Sequence, residues 1–172
     1  MSTSEEKLGW ADLMKMAAEV TAEDGPGTKS WDPTGSETQR VNDLFMETLR
    51  KNNGKVTGEL EGFPGIIITT TGAKTGEKRS VPLVYQVIDG RLVIVASMGG
   101  SPRNPPWFHN LVKNPKVMVE KDGESFMANA VVTEGEDRSY LYEKVCEVLP
   151  AFKDYQARTS RVIPVVELKR VG

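Results

Sequence analysis

Two Asp-Gly pairs, at 89–90 and 122–123, constrain this 172-residue chain more than any other feature. Each stands between runs of alternating apolar residues, and Asp-Gly suits the positive φ angles that a two-residue hairpin requires. Before the first pair, Val81, Leu83, Tyr85 and Val87 alternate with polar or smaller neighbours, and "RLVIVAS" (91–97) returns as the partner strand. Around the second, "KVMVEKDGESFMANAVVTE" (116–134) reads as one hairpin. "GIIITTT" (65–71) is rich in β-branched residues and reads as a strand. "RVIPVVELKRV" (161–171) is a closing strand. Roughly six strands joined largely by hairpins predict an α+β fold built on an antiparallel β-barrel.

Helical periods flank these strands. Trp10, Leu13, Met14, Ala17 and Val20 share a face over 9–21, and "EDGPGTKSWDPTGS" (23–36) follows as a linker or ordered loop. A helix starting at Ser36, where Gln39 completes a capping box, ends at "NNG" (52–54). "WFHNLVKN" (107–114) is a short helix and "EDRSYLYEKVCEVL" (136–149) a longer one. The expected division is an N-terminal extension, residues 1–35, and one barrel domain, residues 36–172.

A net charge of −2 argues against general nucleic-acid binding. No apolar run approaches the ~18 residues of a membrane span. "MSTSEEKLGW" lacks the basic start and apolar core of a signal peptide, so a cytoplasmic location is expected. Peripheral contact with the inner face of the membrane through helix 9–21 is the alternative, although Lys15 is that helix's only internal cation. A single cysteine, Cys146, excludes an internal disulfide and a thiolate zinc cluster, and a single histidine, His109, leaves too few ligands for catalytic zinc. No metal is expected. Monomer and homodimer both stay open.

The chemistry concentrates in two places. "GAKTGEK" (72–78) imitates a phosphate loop, but three residues separate Gly72 from Gly76 and the lysine precedes the second glycine, so it fails the Walker pattern. It is still suited to anions. A tight glycine turn exposes backbone N–H groups, and Lys74, Lys78 and Arg79 face a single acid, Glu77. An exposed hairpin with solvating charges would read the same way. The second place is the end of "VIVAS": Ser97 precedes Gly99-Gly100, and Trp107 and Phe108 open a helix whose N–H groups favour anions. Two such turns with aromatics at a barrel rim suit a planar, phosphorylated cofactor.

Three blocks, "TTTGAKTGEKRSVPLVY", "VIVASMGGSPRNPPWFHNLVKNPKVMVE" and "LPAFKDYQARTSRVIPVVEL", together resemble the deazaflavin-dependent nitroreductase family. The resemblance runs from about Thr38 to Leu168. It implies a split β-barrel of the pyridoxamine-phosphate-oxidase-like, FMN-binding type with flanking helices, and coenzyme F420 as cofactor, with FMN the runner-up. On the family pattern Ala73, Lys74, Thr75, Arg79, Ser80, Val81 and Pro82 hold the coenzyme's phosphate and acidic tail. Val95, Ala96, Ser97, Met98, Pro106, Trp107, Phe108, His109 and Asn110 enclose its ring; many relatives carry lysine where this chain has Met98. His109 is expected to make a structural hydrogen bond, and Trp107 to pack beside the coenzyme. The best-known pattern places three tyrosines along the acceptor side, where this chain has Leu149, Phe152 and Tyr155. Ser97 and Tyr155 are the implied catalytic residues. The implied reaction is hydride transfer from reduced deazaflavin to a quinone, enone or nitroaromatic acceptor. A barrel that carries a deazaflavin, haem or acyl ligand without turnover is the alternative.

Overall fold

The computed structural model describes residues 43, 44, 46, 47, 49–51, 65–97, 100 and 102–171. Its strands are β1 (Gly65–Thr71), β2 (Lys78–Val84), β3 (Gln86–Ile88), β4 (Arg91–Val95), β5 (Lys116–Lys121), β6 (Glu124–Val132) and β7 (Val165–Arg170). They form one sheet in the order β2-β1-β5-β6-β7-β4-β3, with antiparallel pairing throughout. Both Asp-Gly pairs turn with positive φ at both positions, 52° and 75° at Asp89 and Gly90, 51° and 77° at Asp122 and Gly123. That mirror-image turn matches the twist of the strands it joins.

Seven strands stand where six were expected, because Tyr85 divides the alternating run 81–87 into β2 and β3. The two halves are opposite edges of the sheet, joined by that one residue. A sheet whose edges are so connected has to curl until they meet, which is the geometry of a split barrel. Pro82, in register with Ile67, is tolerated because an edge strand needs hydrogen-bond donors on one side only.

The curl encloses the first core. Ile66 and Ile68 of β1 meet Ile94, Val117, Val119, Ala128, Val166 and Leu168, and Trp107 and Leu111 of helix α1 (Pro106–Lys113) pack among them. Ile67, on the opposite face of β1, is also buried. The described residues between 43 and 51 are helical, with Met46 and Leu49 buried. From that helix Arg50 pairs with Glu120 of β5 through two bonds, 3.1 Å from Nε and 2.9 Å from Nη2. The predicted helix start at Ser36, helix 9–21 and loop 23–36 lie outside the described residues.

A second core joins β3, β4 and β7 to helix α2 (Gly135–Val148), through Ile88, Val93, Leu141, Tyr142, Val145, Cys146, Ile163 and Val165. Helix α3 (Ala151–Ala157) follows directly. It was not anticipated, because seven residues with none buried carry no readable period. The last strand begins at Val165 rather than near 161, and residues 161–164 do different work, described below.

Candidate functional site

The turn between β1 and β2 is closed from within. Gly72 N–H donates to the Glu77 carbonyl (2.7 Å), Gly76 N–H to the Gly72 carbonyl (3.0 Å) and Glu77 N–H to Thr75 Oγ1 (3.2 Å). Helix α1 holds it from outside. Asn110 Oδ1 accepts the Ala73 N–H (3.0 Å), while its Nδ2 donates to Oγ1 of the fully buried Thr70 (3.2 Å). Lys113 Nζ donates to the Ala73 carbonyl (2.6 Å) and Asn114 Nδ2 to the Thr71 carbonyl (3.4 Å). Positions 110, 113 and 114 follow the i, i+3, i+4 spacing of a single helix face. Most of the N–H groups expected to face an anion are therefore already used. Among the described residues, those of Lys74 and Thr75 keep no partner.

The three cations do not act as one cluster. Lys74 is exposed and pairs with no described residue. Arg79 stands opposite Thr70 in the β1–β2 register, hence on the barrel side with Val81. Its Nη2 reaches Glu77 Oε2 at 3.3 Å, but both side chains are about two-thirds exposed, so the pair is weak. Lys78 projects to the other face and donates from Nζ to Thr71 Oγ1 (2.7 Å). Ser80 shares that outer face, its hydroxyl 2.8 Å from Thr69 Oγ1. Lys74 and Arg79 are thus open to an anion, and Lys78 is turned away.

Beyond β4, the Ser97 carbonyl accepts the Gly100 N–H (2.9 Å) and Arg161 Nη2 (2.8 Å). Arg161 Nη1 donates to the Ala96 carbonyl (3.2 Å) and to Asn104 Oδ1 (2.8 Å). Gly100 has φ of 84°, and a Cβ there would lie 2.6 Å from the Tyr155 carbonyl oxygen and 3.0 Å from its Cα. Only glycine lets this loop touch α3. Val95 and Ala96 lead into the loop, and Met98 lies outside the described residues. At the start of α1, Pro106 is exposed and Phe108 half-buried, meeting Trp107 and His109 edge-on at centroid distances of 6.5 and 6.0 Å. Trp107 is 8% exposed and belongs chiefly to the barrel core. The structural hydrogen bond expected of His109 is not found among the described residues. Its imidazole is exposed beside Phe108.

On the third side, Leu149, Phe152 and Tyr155 are half-buried, with the Phe152 and Tyr155 rings edge-to-face at 5.3 Å. A polar network fixes this helix. Arg138 donates from Nη2 to Gln156 Oε1 (2.9 Å) and to the Ile163 carbonyl (2.7 Å), with Nε on the same carbonyl at 3.0 Å. Gln156 Oε1 also accepts the Ile163 N–H (3.0 Å), and its Nε2 donates to the Arg161 carbonyl (2.7 Å). Tyr142 Oη donates to the Phe152 carbonyl, and burial pushes its pKa up to about 12. Burial also raises the Cys146 thiol and lowers the Arg138 and Arg161 guanidiniums.

The sequence-predicted coenzyme residues thus gather on α1, the basic turn against its C-terminal half and the Ser97 loop leading into its N-terminus, whereas Leu149, Phe152 and Tyr155 lie at the end of α2 and on α3, which the loop meets at Gly100. Sequence reading missed Lys113, Asn114, Arg138, Gln156 and Arg161. The helical spacing of the first two was a usable signal. The other three act mostly on backbone carbonyls or on one another, and nothing local marks them.

The F420H(2)-dependent quinone reductase family matches residues 41–170. The F420H(2)-dependent quinone reductase Rv1261c of Mycobacterium tuberculosis (strain ATCC 25618 / H37Rv) is 39% identical over 140 residues, 79% of this chain and 92% of its own. Among solved structures, the F420-H2 dependent reductase FDR-A is 38% identical with a TM-score of 0.57, over 62% of this chain and 94% of its own. A domain-swapped dimer is 33% identical with a TM-score of 0.59, over 78% of this chain and 100% of its own. With its curled antiparallel sheet, its basic turn and these matches, the chain belongs to the F420H(2)-dependent quinone reductase family of oxidoreductases, which use coenzyme F420.

Proposed function

We propose that this chain passes hydride from reduced F420 to a quinone. In this reading the coenzyme's acidic tail lies along the turn at Lys74 and Arg79, and its ring lies between Ser97 and the start of α1. The supporting observation is Lys74, an exposed ammonium paired with no described residue on a turn that Asn110 and Lys113 hold rigid. A preorganised cation suits a polyanionic tail, since little ordering remains to be done on binding. Flavin mononucleotide has a phosphate but no such tail.

Bound coenzyme supplies the hydride. The chain's own part is orientation and polarisation. Ser97 offers a hydroxyl at the strand end, and the Tyr155 hydroxyl donates to the acceptor's oxygen as charge develops there. Leu149 and Phe152 line the acceptor side with apolar surface and cannot donate a hydrogen bond. This favours quinones and conjugated enones over bicyclic nitroimidazoles, whose nitro oxygens need more polar help.

Titration with F420 and with FMN, followed by cofactor fluorescence, precedes steady-state assays with reduced F420 and the three acceptor classes. Tight F420 binding with quinone turnover well above nitroimidazole turnover is expected. Binding of FMN alone would overturn the cofactor assignment, and equal turnover of both acceptors would overturn the acceptor assignment.

A further inference from the structure

We propose that Arg161 is the positioning residue that couples the coenzyme side of the site to its acceptor side; the inference rests on the hydride-transfer reading above. Among the described residues its guanidinium holds three acceptors distant in sequence: the carbonyls of Ala96 (3.2 Å) and Ser97 (2.8 Å), and Asn104 Oδ1 (2.8 Å). Ala96 and Ser97 follow β4 and Asn104 precedes α1, so one planar group pins both stems of the loop. An ammonium is a compact point donor and does not reproduce this spread of N–H groups.

The backbone of Arg161 is tied in turn to α3. Its carbonyl accepts Gln156 Nε2 (2.7 Å), and its N–H donates to Thr159 Oγ1 (3.3 Å). Gln156 binds Arg138, whose guanidinium lies 4.4 Å from the centre of the Tyr142 ring, and the Tyr142 hydroxyl donates to the Phe152 carbonyl. The contacts therefore run without a break from Ser97, through Arg161 and Gln156, to the helix that carries Phe152 and Tyr155. Gly100, packed on the Tyr155 backbone, is a second point of contact between the two sides.

Hydride transfer tolerates little error in the distance between donor and acceptor, and a misplacement of about 1 Å can lower a rate about a hundredfold. Arg161 sets the position of Ser97 relative to Tyr155. None of the bonds above involves Lys74 or Arg79, which carry the coenzyme's tail in this reading. Removal of Arg161 should therefore separate chemistry from binding.

The full-length chain is compared with Arg161→Ala, Arg161→Lys and Asn104→Ala. F420 affinity is read by fluorescence, kcat and KM with a soluble naphthoquinone, and folding by melting temperature. F420 affinity in Arg161→Ala should stay within about threefold, while kcat falls about a hundredfold. Guanidinium ion at low-millimolar concentration should restore part of that kcat, and ethylammonium should not. Arg161→Lys should stay low. Asn104→Ala, which removes one of these bonds, should fall between. Unchanged kcat in Arg161→Ala and Arg161→Lys overturns the inference. If Arg161→Ala does not fold, unchanged kcat in folded Arg161→Lys and Asn104→Ala overturns it. A wild-type chain that binds no F420 overturns the hydride-transfer reading and this inference with it, whereas an active wild type with fully active Arg161 variants overturns the inference alone.

Discussion

The two loops at opposite ends of helix α1 are held in contrasting ways. Residues 72–77 close on themselves through backbone bonds, are braced by Asn110, Lys113 and Asn114, and leave Lys74 exposed. The loop after β4 is gathered by Arg161 and packs against α3 at Gly100. The first is a rigid support for exposed charge. The second is an internal joint between elements distant in sequence. Substitution in the first should change affinity more than folding, and substitution in the second the reverse.

Glycine-to-alanine changes test this most severely. Gly76 and Gly100 both have left-handed φ, 71° and 84°, but the space around Gly76 is open whereas Gly100 faces the Tyr155 backbone. Gly76→Ala should cost only the backbone penalty, about 1 kcal/mol. Gly100→Ala adds overpacking against an atom 2.6 Å away that cannot rotate aside, so about 3 kcal/mol or more is expected. Urea unfolding of both variants measures the difference. Equal losses would mean that the contact between the Gly100 loop and α3 yields easily.

The Arg161 side also contains the buried phenol of Tyr142, whose pKa is raised by burial to about 12. Below pH about 10 the phenol is neutral in both folded and unfolded chains, and its contribution to stability is fully present. Between about 10 and 12 the unfolded chain ionises first, so stability falls with rising pH, by about 2 kcal/mol at the upper end. Tyr142→Phe should be less stable than wild type at pH 8, lacking the bond to the Phe152 carbonyl, but should lose less on going to alkaline pH. Tyr140, raised by its bond to Asp89, is controlled by Tyr140→Phe. A parallel alkaline decline in wild type and Tyr142→Phe would show that the phenol does not govern this window.

How far each region could be read from sequence follows the same division. The barrel was legible because Asp89-Gly90 and Asp122-Gly123 fix antiparallel pairing locally. The break at Tyr85 was not, because alternation runs unbroken from Val81 to Val87 and a barrel corner depends on strands elsewhere. The basic turn was visible as charge in an acidic chain, but the opposite facing of Lys78 and Arg79 needed the β1–β2 register. Nothing within "QARTSR" marks Arg161 as different from its neighbours. The acceptors its guanidinium meets among the described residues lie 57 to 65 residues away, and the carbonyls of Ala96 and Ser97 are backbone groups that any residue would have supplied.

For the basic turn the expected loss is in binding. Lys74→Ala should weaken F420 about tenfold to a hundredfold, the worth of one charge-assisted contact at about 1.5–3 kcal/mol. Melting temperature should stay unchanged, since Lys74 is exposed and makes no hydrogen bond or ion pair with a described residue. Lys78→Ala should weaken F420 far less, its ammonium being engaged with Thr71 on the outer face. The contrast should shrink as salt rises, because exposed charges are screened. Equal effects of the two substitutions would return the cluster to a single undifferentiated patch.

Asn110→Ala should have the smallest effect on binding and the most informative mixture of effects, because its amide serves both the turn and the barrel. Its Oδ1 holds the Ala73 N–H and its Nδ2 meets the hydroxyl of Thr70, which has no exposure at all. Removing the amide leaves a buried hydroxyl without that donor and a half-buried N–H without its acceptor, and about 1–2 kcal/mol of stability should be lost. Lys113 and Asn114 still hold the Ala73 and Thr71 carbonyls, so the turn should stay in place but become less rigid. F420 affinity should then fall severalfold although no cation has been removed, because part of the ordering is now left to the binding step. Thr70→Val separates the two bonds, since it removes the hydroxyl that Nδ2 meets and leaves the Ala73 N–H its acceptor. If Thr70→Val retains the stability of wild type, the Thr70 bond contributes nothing. If Asn110→Ala binds F420 as tightly as wild type, the turn needs no bracing from α1, and Lys74 owes its effect to charge alone.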